Sequence, residues 1–338
     1  MPPDAAAARE VAIKDVLGHR QSGALGFLVA SQAFWVTVAL VAIVAGMSWL
    51  QPQAFASADN FYNITRNFSF IGIMAVGMTA VIISGGIDLS VGSIMGAVAV
   101  TAGTIMHVGA GWPLAVLGGL GVGFAIGLFN GVLVAYVGLS SFVVTLGTLA
   151  IGRSFAVVLS RNKMIYQFGP HSDAFFNLGG EWLGLAVSVW FLLVLAVVCG
   201  LALHFTVWGR HLFALGGNEN AARLTGVPVD AVKVQAYVLS GLCAAIAGLL
   251  SLAWQGSAIN GLGEGYELRV IAAAVIGGAN LLGGEGGAYG AIVGAALIEV
   301  IRNGLLMAGV DSNWQGMFVG AFIIAAVVLE RIRRLRRE

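Results

Sequence analysis

Long apolar runs, each broken by a short stretch of glycine or charge, recur along the whole chain. A helix crossing about 30 Å of hydrocarbon at 1.5 Å per residue needs about 20 largely apolar residues, with every backbone polar group satisfied inside the segment. By that test ten spans are predicted, at residues 27–50, 68–84, 91–106, 113–137, 142–159, 183–205, 234–254, 270–282, 289–306 and 316–329. The pattern thus predicts an all-α polytopic membrane protein. The runs near Ile83, Leu139 and Gly283 are short or glycine-interrupted, which fits either plain short spans or broken helices lining a cavity.

Composition sharpens this reading. Of 338 residues 59% are hydrophobic and 10% charged, against about 25% charged in soluble domains. The 17 Lys+Arg nearly cancel the 16 Asp+Glu, leaving no field to attract nucleic acid, and that partner is excluded. Basic residues set the orientation, because positive loops stay cytoplasmic. They gather before the first span (Arg9, Lys14, Arg20), between residues 207 and 233 (Arg210, Arg223, Lys233) and in the tail (Arg331, Arg333, Arg334, Arg336, Arg337). With ten crossings all three regions fall on one side, so both termini are expected in the cytoplasm. The expected organisation is a cytoplasmic lead-in over 1–26, one membrane domain over 27–330 and a basic tail over 331–338. The lead-in is charged and Ala-rich and lacks the apolar core of a cleavable signal.

Glycine accounts for 49 residues, about twice the usual share, and it is ordered. Gly119, Gly123, Gly127 and Gly131 stand four apart, as do Gly286, Gly290 and Gly294, each set a smooth ridge for a neighbouring helix. The chain also echoes itself: Gly85-Gly86-Ile87-Asp88-Leu89 returns as Gly277-Gly278-Ala279-Asn280-Leu281, and Asn130-Gly131-Val132-Leu133 as Asn303-Gly304-Leu305-Leu306. An internal two-fold repeat follows, with halves at about 60–160 and 231–330 around the polar segment 207–233.

Candidate chemistry is sparse. Asp88 and Ser90 are placed to cap the helix starting near Val91, or else to line a path or gate. Thr145 and Thr148 share a helix face, where hydroxyls bond either back to the helix or toward solute. Glu299 and Arg302 are spaced for a local ion pair. Asn218 can cap a short helix ending at Gly226. The lysines (Lys14, Lys163, Lys233) do not follow glycine, so there is no phosphate-cradling Gly-Lys-Ser/Thr loop, and the chain cannot use ATP alone. The five histidines lack ligand spacing, and Cys199 and Cys243 lie in apolar runs. No metal site and no catalytic residue are expected.

Six stretches in order, covering roughly residues 60 to 315, resemble a known family. They are Gly85-Gly-Ile-Asp-Leu-Ser-Val-Gly-Ser93, Phe142-Val-Val-Thr-Leu-Gly-Thr148, Gly216-Gly-Asn-Glu-Asn-Ala-Ala-Arg-Leu-Thr-Gly226, Gly265-Tyr-Glu-Leu-Arg-Val-Ile-Ala-Ala273, Gly277-Gly-Ala-Asn-Leu-Leu-Gly-Gly-Glu-Gly286 and Asn303-Gly-Leu-Leu306. The family is the permease subunits of bacterial ABC importers for monosaccharides of the ribose, galactose, arabinose and xylose type. The resemblance implies an architecture similar to the cobalamin importer's membrane subunit, located in the bacterial inner membrane and paired with a second copy or close paralogue. It implies a separate cytoplasmic ATPase that uses the ATP, while this chain binds no cofactor. That ATPase would dock on the loop carrying Gly217, Asn218, Glu219, Ala222, Arg223 and Gly226. An extracytoplasmic sugar-binding protein would deliver the solute. The expected path or gate comprises Asp88, Ser90, Asn130, Phe142, Thr145, Thr148, Asn280 and Asn303, with Glu267 and Arg269 at the outer mouth. Two departures bear on solute choice or docking: Ser140-Ser141 stand where relatives commonly have Pro before the Phe, and Arg269 where several carry an acid. The rival readings are a secondary transporter coupled to ions through Asp88 or Glu299, and an intramembrane enzyme, for which no paired nucleophile and base is found.

Overall fold

The computed structural model describes residues 31–169 and 172–311, together with 314, 316, 317, 320, 321 and 324. Helices dominate. In chain order they are α1 (Gln32–Leu50), α2 (Ala58–Ile83), α3 (Val91–His107), α4 (Trp112–Ala135), α5 (Ser141–Leu159), α6 (Asp173–Phe176), α7 (Val187–Phe205), α8 (Val207–Gly217), α9 (Glu219–Leu224), α10 (Val229–Gln255), α11 (Tyr266–Ile276) and α12 (Ala288–Met307). Between α6 and α7 lies an antiparallel two-stranded hairpin, β1 (Glu181–Trp182) paired with β2 (Leu185–Ala186). Among the described residues seven helices, α1, α2, α4, α5, α7, α10 and α12, are long and apolar enough to cross a bilayer. Of the ten expected spans, α3 with 17 residues and α11 with 11 are shorter than that, and the tenth lies largely outside the described residues.

Two spans depart from their predicted bounds for a physical reason. α2 begins ten residues earlier than its apolar run, because its polar first turns find partners. Asn60 donates to the Phe55 carbonyl at 2.9 Å and exchanges amide hydrogen bonds with Asn303 at 3.1 and 2.7 Å. The eighth span is broken. Only its first half is helical, within α11, which stops at Ile276; residues 277–282 are not helical, and residues 256–265 reach α11 as irregular chain.

α2 and α10 are buried over most of their length, whereas α1, α4, α5 and α7 expose apolar faces. A helix apolar all round belongs in the centre, and these two form it. The first glycine ridge explains how α4 approaches α10. A Cβ on Gly127 would stand 2.6 Å from the Tyr237 carbonyl oxygen, and one on Gly131 2.8 Å from Val234 Cα, so the two backbones touch without side chains between them. In the second ridge, Gly290 and Gly294 do the same against Gly277 and Ala273 of the α11 region.

The breaks of the two halves are built alike. At each, a helix ends on a glycine with positive φ, Gly85 at 80° and Gly278 at 104°, with the next amide folding back onto the preceding turn. Asp88 and Asn280 then each accept from the backbone N–H two residues on, both at 2.9 Å. The glycine is the first of its pair in one half and the second in the other, so the pseudo-symmetry is offset by one residue.

Candidate functional site

The segment between α7 and α10 is anchored by its own apolar positions. Leu212, Leu215 and Ala222 are buried in a cluster with Val81, Ile83, Val229, Val232 and Tyr237. Thr206 caps α8 by accepting from Gly209 N–H at 3.2 Å, and Asn218 caps α9 by accepting from Ala221 N–H at 3.0 Å. Gly226, at φ 84°, lets the chain leave α9. Of the residues expected to meet an ATPase, Gly217, Asn218, Glu219, Arg223 and Gly226 are exposed. Ala222 is not: it is turned into the core and holds α9 in place.

The charged residues here are already paired. Both Glu219 oxygens accept from Lys233 at 2.8 Å, and Arg223 forks onto Asp230 at 2.7 and 3.1 Å with Glu219 at 3.5 Å. The hydrogen bonds to Asp230 push the Arg223 guanidinium above even its ordinary high value, so its charge is permanent. This four-residue lattice ties α9 to the first turns of α10. Sequence reasoning missed Asp230, because its link to Arg223 spans seven residues across a turn. It also missed Leu224, a large apolar side chain 89% exposed at the tip of α9.

The end of α8 meets both breaks. Gly284 N–H donates to the Ile83 carbonyl at 2.9 Å, linking the end of α2 to the chain after α11. Gly216 packs onto that link: a Cβ there would collide with the Ile83 oxygen and the Gly284 nitrogen. Beside it opens a cleft of about 710 Å³, lined among others by Gly85, Ser141, Gly217, Glu219, Arg223 and Tyr237.

Asp88, Ser90, Asn130 and Thr145 come together around the first break. Asp88 Oδ1 accepts from Ser90 N–H at 2.9 Å and Ser90 Oγ at 2.5 Å, and Oδ2 accepts from Ser240 Oγ of α10 at 2.8 Å. Asn130 donates to Ser90 Oγ at 2.9 Å. Thr145 donates to the Ser141 carbonyl at 2.8 Å and reaches Ile87 O at 3.3 Å, while Thr148 bonds back to Val144 O at 3.2 Å. Contrary to expectation, α3 has no side-chain cap: Asp88 closes the turn before the helix and ties it to α10, through a Ser240 that nothing in the sequence singled out. Phe142 stands apart, half exposed at the start of α5. Asn280 belongs to the second break. Asn303 lies far from both, paired with Asn60.

The Glu267 carboxylate lies against Gly92 in the first turn of α3. The Arg269 guanidinium stacks over Tyr266 at 5.3 Å. Glu299 is buried and takes a two-pronged ion pair from Arg302 on the next turn. Among the described residues no group of three or more His, Cys, Asp or Glu is arranged to hold a metal ion.

A family profile described as the permease component of a branched-chain amino acid transport system matches residues 60–327. The chain belongs to this permease family. Full-length relatives agree. It is 40% identical over 299 residues to the probable ABC transporter permease protein y4mJ of Sinorhizobium fredii, covering 88% of this chain and 89% of the relative. It is 38% identical over 294 residues to the ribose import permease RbsC of Escherichia coli K12, covering 86% and 91%. Against the D-allose transport system permease AlsC of the same organism it is 35% identical over 300 residues, covering 88% and 90%. No solved structure matches the chain. This permease is thus the membrane subunit of an ABC importer and not itself the ATPase.

Proposed function

We propose that the permease forms the membrane path for a sugar or sugar-like polyol, working with a second copy or close paralogue. A separate cytoplasmic ATPase drives it through residues 207–233, and an extracytoplasmic binding protein feeds it. The observation that carries this reading is the contact of Gly216 with the joined breaks at Ile83 and Gly284. Through this contact a push on α8 reaches the place where both halves change direction. A protein that alternates between inward-open and outward-open states needs such a bistable junction, biased by partners that contact the two states differently. The sugar assignment rests on the ribose and D-allose relatives, which match over nearly the whole chain. The family profile's amino-acid description covers a broader group.

The same reading sets the orientation. Residues 207–233 and both termini face the cytoplasm of a bacterial inner membrane, and the two halves form one domain similar in plan to the cobalamin importer's membrane subunit. Ion coupling through Asp88 or Glu299 is less favoured, since three hydrogen bonds satisfy the first and Arg302 holds the second. Reconstitution with its ATPase and binding protein tests the whole: uptake of D-ribose or D-allose should require ATP and the binding protein. Uptake by the permease alone along a proton or sodium gradient would refute it.

A further inference from the structure

Residues 256–265 descend into the bundle along α3. Their depth can be read from successive glycines: Gly103 lies beside Ala258, Gly96 beside the Asn260 and Leu262 carbonyls, and Gly92 beside Gly263 and Glu267. From Gly103 to Gly92 is about 16 Å along a helix axis, and Gly92 is in the first turn of α3 just beyond the Asp88–Ser240 contact near the middle of α10. The segment therefore reaches mid-bilayer without being helical. Its backbone bonds are one bridge, in which Ala258 and Ile165 exchange bonds at 2.8 and 3.1 Å, and then isolated turns, among them Leu262 N–H to Ile259 O at 3.1 Å and Glu264 N–H to Gly261 O at 3.2 Å. Arg153 Nη1 caps the Asn260 and Leu262 carbonyls at 3.2 and 2.9 Å.

Irregular backbone at this depth is tolerated only where protein buries it or water wets it. Here it is only partly buried, at Ala258 and Gly263. Ile259 and Glu264 are exposed, and residues 260–262 are partly so. A carboxylate facing hydrocarbon is costly, so a glutamate exposed at mid-bilayer marks a watered surface. Nearby, Glu267 Oε2 is shielded and has no hydrogen-bond partner among the described residues, a second acceptor beside the same segment.

We propose that residues 259–265 form the wall of the aqueous path at the middle of the membrane, and that Glu264 accepts hydrogen bonds from the hydroxyls of the passing solute. Gly261 leaves room beside it, since a Cβ there would meet nothing nearer than Glu264 Oε2 at 3.9 Å. An ionised carboxylate only accepts and offers two oxygens, which suits adjacent hydroxyl groups and repels an anionic solute. The proposal deepens the transport reading and rests on it.

The test uses the assembled importer in proteoliposomes. Glu264→Cys is made with the buried Cys199 and Cys243 left in place, the unaltered importer serving as blank. A charged methanethiosulfonate, which reacts with thiolates in water, should label Glu264→Cys at least tenfold faster than Val197→Cys, an exposed apolar position midway along α7. Glu264→Gln should lower uptake at least fivefold, for whichever of D-ribose and D-allose the unaltered importer takes up, with ATPase activity retained. Equal labelling of the two cysteines overturns the proposal, whether lipid or a second chain covers the segment. So does full uptake by Glu264→Gln. Failure of the unaltered importer to take up either sugar would instead count against the transport reading, while the labelling comparison still decides the path.

Discussion

Adding one methyl group at Gly216 should uncouple this importer far more than adding it at Gly217. Both glycines close α8 with ordinary helical backbone, so in an isolated helix either change to alanine would be favourable by about 0.8–1 kcal/mol. Their surroundings decide the outcome. At Gly217 nothing lies within 4 Å of an added Cβ. At Gly216 the Cβ would collide with the Ile83 oxygen and Gly284 nitrogen and stand 3.0 Å from Gly284 Cα, all backbone atoms that cannot swing aside. Relief requires lifting α8 or separating Gly284 from Ile83, which lengthens their 2.9 Å hydrogen bond. Overpacking of this kind costs about 1–3 kcal/mol, so the docked arrangement of α8 loses a net of up to about 2 kcal/mol, on the order of a 5–30-fold fall in its population. ATP-driven uptake in proteoliposomes should fall accordingly for Gly216→Ala, with ATP hydrolysis no longer stimulated by loaded binding protein. Gly217→Ala, though on the docking face, should keep both well above the level of Gly216→Ala, because its methyl meets nothing within 4 Å. Equal behaviour of the two variants would refute the claim that α8 transmits force through its contact with Ile83 and Gly284.

Other contacts give further tests. Replacing Glu219 and Arg223 together should leave membrane insertion intact but abolish ATPase stimulation, since the lattice with Asp230 and Lys233 shapes the docking face; normal stimulation in reconstituted vesicles would exclude that role. Gly127→Val should prevent the close approach of α4 to α10 and cost more than about 3 kcal/mol, seen as loss of monodisperse protein on size exclusion, while Gly121→Val, with open space around it, should purify normally. Arg302→Met should destabilise by about 3–5 kcal/mol by stranding the buried Glu299, and adding Glu299→Leu should recover most of that; thermal unfolding in detergent across the double-mutant cycle measures the coupling.

Periodicity and composition alone determined that this chain lives in a membrane, roughly where it crosses, and that its halves repeat, because lipid demands about 20 apolar residues per crossing and leaves no alternative to a closed backbone. The motif around Gly216 to Gly226 likewise carried the family in its order of residues, and the Asn218 cap and the glycine ridge followed from local rules. What sequence could not supply was depth and partnership. Residues 256–265 read as a loop between spans, and only their contacts with Gly103, Gly96 and Gly92 show that they run along α3 to its first turn. Asn303 echoed Asn130 in sequence, yet one pairs with Asn60 near the far end of α2 and the other with Ser90 at the break. Ser240, Asp230 and Gly284 carry no local signal, since their roles come from groups brought beside them by folding. Local patterns report what a residue does within its own turn of chain. Where a charge or a bare backbone is tolerated inside lipid depends on which distant atoms arrive to meet it.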